Sequence, residues 1–307
     1  MLSVFRTFGL RWPIIAALCG ALTLVSGCST LRIAYATAPD LVYWWLDRYV
    51  DFNDTQTPRV RDAIQQWFVW HRRTQLPDYA ALLVRAQQDV LLDTTPARAC
   101  EWQAEWMARA RTAFDRIAPA AAELMPTITP QQIVHLEERY AKANAKFRDD
   151  YLDPDPAQRA DAARKRTVDR AEMLYGSLEQ AQRDLIDDRL ARSPFDPERW
   201  LSERRARQQD ALQILRQLST EGASREQALV ALKGYVDRLE RSPREDYRRY
   251  HERLTEYNCA FAASLHNAAS AAQRRTAARR LAGWEGDLRA IAAASASGSA
   301  EPAPNAY

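Results

Sequence analysis

The sequence predicts an all-α protein, a mostly antiparallel bundle of about eight to ten helices with no sheet. Three observations carry this. Apolar residues recur at spacings of three and four, and strand-like alternation is absent. Oxygen-bearing residues stand before proline at the expected helix starts. Only 9 glycines occur, which disfavours glycine-rich turns and sheets.

The starts are Thr57-Pro58, Thr95-Pro96, Thr129-Pro130, Asp155-Pro156, Asp196-Pro197 and Ser242-Pro243. The cap oxygen accepts an orphan backbone N–H, and proline in the first turn has none to lose. Gln132 and Glu245 complete capping boxes with Thr129 and Ser242, while Ser177 with Gln180 and Ser224 with Gln227 mark two further starts. Between them run apolar stripes: Val60, Ile64, Trp67 and Phe68, then Ile133, Leu136, Tyr140, Phe147 and Tyr151. Later stripes are Leu229, Leu232, Val236 and Leu239, then Tyr247, Tyr250, Leu254, Tyr257 and Phe261. No repeat of fixed period is present.

Residues 1–27 read as a secretory leader: Arg6 and Arg11 before the apolar run Ile14 to Leu24, then small residues. That run is shorter than the about 20 residues of a membrane span. Val25-Ser26-Gly27-Cys28 has the form of a lipobox, which predicts cleavage between Gly27 and Cys28 and acylation of the Cys28 thiol. Several acyl chains on one cysteine suffice for stable anchoring. Ser29, where lipoproteins of enteric bacteria retained at the inner membrane carry Asp, points to the outer membrane. The expected organisation is therefore leader 1–27, lipidated tether 28–38, helical domain 39–291 and a disordered low-complexity tail 292–307.

An oxidising periplasm makes the two remaining cysteines, Cys100 and Cys259, candidates for one disulfide, with two separate thiols as the alternative. The chain carries 43 Lys and Arg against 40 Asp and Glu. Without Arg6 and Arg11 this becomes 41 against 40, a balance that argues against a nucleic-acid partner. The four histidines lack ligand spacing, so neither a metal nor a cofactor is expected, and no nucleophile elbow or nucleotide loop occurs.

The densest signal is Tyr43-Trp44-Trp45-Leu46-Asp47-Arg48-Tyr49 followed by Trp67-Phe68-Val69-Trp70-His71-Arg72. Three readings stay open for it. The residues Trp44, Trp45, Arg48, Trp67, Trp70, His71 and Arg72 line a ligand or partner surface, or rest at the lipid interface, or form core. His71 as a general acid–base stands against a structural histidine. The expected function is a non-enzymatic, membrane-anchored module that binds envelope proteins or unfolded protein. The alternative is an envelope hydrolase or glycan-binding protein using the His71 region.

The order Gly27-Cys28-Ser29, Trp44-Trp45-Leu46-Asp47-Arg48-Tyr49, Trp70-His71-Arg72 and Gln75-Leu76-Pro77 resembles an uncharacterised proteobacterial lipoprotein family, domain of unknown function 6279. Thr129-Pro130-Gln131-Gln132 and Tyr175-Gly176-Ser177-Leu178 fit its later blocks. That resemblance implies an envelope lipoprotein and no activity. Ile128-Thr129-Pro130-Gln131-Gln132 and Leu178-Glu179-Gln180-Ala181-Gln182 are also similar to the paired Leu-Thr-x-x-Gln elements of helical periplasmic stress chaperones. They depart from that pattern at Ile128 and Glu179, and helix capping alone accounts for Thr129 and Gln132.

Overall fold

A computed structural model describes residues 30–153, 155–220 and 222–297. Those residues form eleven α-helices, two of which run on as one rod to make ten, and no strand. In chain order they are α1 (Thr30–Val50), α2 (Gln56–Trp70), α3 (Leu76–Asp89), α4 (Pro96–Leu124), α5 (Pro130–Tyr151) and α6 (Pro156–Tyr175). Then follow α7 (Gln180–Ala191), α8 (Pro197–Thr220), α9 (Arg225–Glu240), α10 (Glu245–Asn267) and α11 (Ala271–Ser297). A single π turn, His71–Gln75, joins α2 to α3 without a break, so these two count as one rod.

Expected boundaries move at both ends. Residues 30–38, read as a tether, are the first turns of α1, and residues 292–297, read as tail, belong to α11. Alanine-rich sequence has high intrinsic helix propensity, which carries α11 past its last packed residues. The leader, Gly27 and Cys28 lie outside the described residues.

Caps act where local chemistry is unambiguous. Thr95, Thr129, Asp155 and Ser224 accept N–H groups of their first turns, and Asp196 accepts from the Arg199 N–H. Three expected starts shift. The α2 start is capped by Asn53, whose Oδ1 accepts from Thr55 and Gln56, so Thr57-Pro58 falls inside the first turn. The α7 cap is Glu179 with Gln182, two residues after Ser177. Ser242 caps only a turn, accepting from the Arg244 N–H, and α10 begins at Glu245.

Neighbouring helices run antiparallel, as successive contacts show. Gln87 meets Glu285, Val90 packs on Ala277 and Leu281, and Asp93 pairs with Arg274, which orients α3 against α11. Along α4 and α9, Arg111 meets Asp237 and Glu240 while Glu123 meets Arg225. Asn144–Gln208 and Glu137–Arg216 align α5 with α8, and Arg164–Asp187 and Glu172–Arg183 align α6 with α7. Burial is divided among small clusters, for example Tyr43, Val60, Ile64 and Phe68 between α1 and α2, and Ile133, Leu136 and Leu212 between α5 and α8.

Two buried glutamine pairs lock these helices at their corners. Gln56 and Gln132 bond reciprocally: Gln56 Nε2 donates to Gln132 Oε1 at 3.2 Å, and Gln132 Nε2 to Gln56 Oε1 at 2.6 Å. Each Oε1 also accepts its own cap N–H, from Asn53 and Thr129. Each Nε2 also donates across the corner, to the Thr127 and Asp51 carbonyls. Asp51 reaches this position with φ 59°, the left-handed region that a non-glycine residue rarely occupies.

The same pattern recurs between Gln182 and Gln273, with cap N–H groups from Glu179 and Ser270 and carbonyls from Ala268 and Ser177. In both pairs every amide donor and acceptor site is used. The chaperone-like elements at Gln132 and Gln182 are therefore not partners of one another. Each pairs with a second element, at Gln56 or Gln273, that the sequence comparison missed. A repeated device exists without a fixed period, because the paired glutamines stand 76 residues apart in one case and 91 in the other.

Candidate functional site

The aromatic region singled out in the sequence separates into three places. Trp67, Trp70, His71 and Arg72 form one packed group around α1 and the π turn. The His71 ring stacks on Trp67 with centroids 4.6 Å apart, and its Nδ1 bonds the Tyr35 hydroxyl at 2.9 Å. Trp67 Nε1 donates to the Ala113 carbonyl at 2.9 Å, Arg116 lies over Trp70, and Arg72 lies over Tyr35. Trp44 and Trp45 point outward on α1. Arg48, at the end of α1, belongs to a third place, a surface trough.

Burial pushes the His71 imidazole down to about 4, so the ring is neutral at pH 7. Its folded value lies below the ordinary 6.5, so the unfolded chain takes up the proton first. The resulting stabilisation is complete above about pH 6.5 and is lost as pH falls toward about 4. His71→Phe should therefore lose less thermal stability than the wild type between pH 7 and pH 4.5. Parallel melting profiles for the two proteins would contradict this assignment.

The trough is built by helix ends and faces that converge from distant parts of the chain. It consists of two adjoining hollows of about 690 and 750 Å³ that share Tyr151 and Trp200. The first takes Arg48 and Tyr49 from α1, Arg139, Lys142 and Lys146 from α5, and Arg204 from α8. The second takes Arg164, Arg166 and Arg170 from α6, Phe195 from the loop before α8, and Asn258 from α10.

Rings form its floor. Phe147 stacks on Tyr151 at 4.7 Å, and Tyr151, Phe195 and Trp200 continue at 6.3 and 6.1 Å. Arginines lie over these rings: Arg166 over Tyr151 at 4.8 Å, Arg204 over Phe147 at 6.0 Å and Arg139 over Tyr49 at 5.7 Å. Such placement holds the flat guanidinium in register while leaving its N–H groups outward.

Charge pairing is uneven. Lys146 pairs with Asp150 and Arg164 with Asp187. Among the described residues no carboxylate lies within ion-pair distance of Arg48, Arg139, Lys142, Arg166, Arg170 or Arg204. Arg139 Nε is buried without an acceptor among them. Elsewhere arginines are regularly paired, as with Arg109 on Asp78 and Arg238 on Asp210. A solvated hollow with surplus cations over stacked rings attracts an extended anionic ligand and gives it flat surfaces to stack on.

Of the residues selected from the sequence, only Arg48 lies in the trough. Its other cations were missed because α5 and α6 read as ordinary mixed-charge faces. The usable signal was Arg139, Lys142 and Lys146 spaced at three and four beside Tyr140, Phe147 and Tyr151, a basic edge along an aromatic stripe. Among the described residues there is no group of His, Cys, Asp and Glu able to hold a metal ion. No described helix is long and apolar enough to cross a membrane.

Cys100 near the start of α4 and Cys259 in α10 stand as a disulfide pair, with Cα atoms 5.4 Å apart. Cys259 lies in the penultimate helix, and α11 follows it.

Helices locked at their corners around an open, cation-rich trough define an all-helical protein with a ligand-sized surface groove. Residues 48–248 match the model of a family of unknown function, DUF6279, and the chain belongs to that family. No curated protein and no solved structure matches the chain.

Proposed function

We propose that this protein is a lipid-anchored lipoprotein of the outer membrane, facing the periplasm, which holds acidic polypeptide segments in the trough without transforming them, in a chaperone-like manner. The observation that carries the reading is the set of six cations without carboxylate partners among the described residues, interleaved with a run of rings in a hollow open to solvent. Two of the carboxylates there, Asp150 and Asp187, are committed to ion pairs, which favours binding over acid–base chemistry. The lipobox at Cys28 supports the address, and Ser29 supports the outer-membrane assignment. Most of the trough, from Arg48 to Arg204, lies within the span that matches the family.

The hydrolase alternative relied on His71, whose ring is covered by Trp67 and occupied by Tyr35. The test is photo-crosslinking in cells, together with suppression of client aggregation by purified protein. Reversing Arg139, Lys142 and Arg204 to Glu removes about 2 kcal/mol of attraction, since exposed pairs contribute up to about 1 kcal/mol each. Partner capture should fall by roughly 30-fold. Wild-type binding should also weaken with added salt, because exposed charges are screened. If the triple reversal changes neither capture nor aggregation, this reading is wrong.

A further inference from the structure

We infer that the outward face of α1 is a bilayer seat, so that the protein lies against the membrane surface along this helix instead of hanging from its lipid. The inference rests on the acylation of Cys28 proposed above. Ile33, Leu41, Trp44 and Trp45 are 58%, 53%, 61% and 60% exposed. At 3.6 residues per turn they span a stripe of about 120° on α1, while Tyr35, Tyr43 and Leu46 on the other side pack into the core shared with α2. Among the described residues neither the Trp44 nor the Trp45 indole N–H has an acceptor in the protein, an arrangement that suits rings set among lipid headgroups. Arg48 continues the stripe and supplies a cation for anionic headgroups.

What lies opposite this face follows from where the chain comes from. Cys28 is two residues before Thr30, the first residue of α1. A residue spans at most about 3.5 Å, so the acyl chains hold the first turn within roughly 10 Å of the lipid. A tether that short keeps a helix of 21 residues at the interface, and α1 is not apolar enough to cross. The Trp45 ring meets Tyr49 at 5.2 Å, so the seat ends where the trough begins and the trough opens beside the membrane.

The experiment uses the processed, acylated protein reconstituted into phosphatidylethanolamine–phosphatidylglycerol vesicles carrying lipids brominated at shallow acyl positions. Trp12 departs with the leader, so Trp44 and Trp45 are two of the 8 that remain of 9 tryptophans, and the wild type should lose about a quarter more of its fluorescence than the W44S/W45S variant. Both substituted positions are exposed, and equal far-UV dichroism confirms that the variant is folded. Equal quenching of the two proteins overturns the seat. A tryptophan blue shift that persists without lipid and grows with protein concentration also overturns it, and assigns the face to a second copy. The mass of the N-terminal peptide reports acylation separately. An unmodified Cys28 with Trp-dependent quenching retained overturns the anchor and leaves the seat standing.

Discussion

Reducing the Cys100–Cys259 bond, or replacing either cysteine with Ser, is expected to lower the stability of the protein by about 5 kcal/mol. The estimate follows from the chain-entropy cost of closing a loop with a sequence separation of 159. The bond ties the start of α4 to α10. Urea unfolding of the protein with and without a thiol reductant measures the effect directly. The two single variants and the double variant should share one lowered midpoint, since each removes the same bond. Unchanged midpoints would mean that the pairing does not persist in solution.

The second large effect is expected at the glutamine corners. Gln132→Leu leaves the Thr129 N–H and the Asp51 carbonyl without partners inside the protein and strips Gln56 of half its bonds. Each buried polar group left unsatisfied costs about 1–3 kcal/mol, so a loss of about 3 kcal/mol is expected. Gln182→Leu should behave alike, because Gln273 holds the same arrangement. The diagnostic is the double variant Gln56→Leu/Gln132→Leu. With both amides gone, the shared bonds are counted once, and the loss should fall short of the sum by about 1–2 kcal/mol. Strict additivity in a double-mutant cycle would show that the two side chains do not act as a unit. Gln132→Glu is a sharper probe, since it keeps the shape but removes the N–H donors to Asp51 and Gln56.

Helix content was legible in the sequence because its signals are local. Thr129 with Gln132 and Ser224 with Gln227 form their capping boxes within four residues, and both stand as expected. At α2 the expected start Thr57-Pro58 gives way to Asn53, whose side chain reaches the free N–H groups first. The aromatic residues around His71 were recognised as a group, but their division between a packed cluster, an outward face and a trough depends on which side of α1 meets α2.

Taken alone, the chain determined an all-helical fold, most helix starts and the pair of cysteines able to bond. Each depends on residues near one another or on simple elimination. Tertiary structure alone decided the partners of Gln132 and Gln182, since those contacts join corners 76 and 91 residues apart. It also decided the trough. A nearly balanced total of charges hides a local excess when paired arginines gather on some faces and six cations without a carboxylate partner among the described residues gather on another. Electrostatic surplus is a property of how helices are placed, because the counter-charge that would cancel a cation is supplied by whichever helix the fold brings beside it.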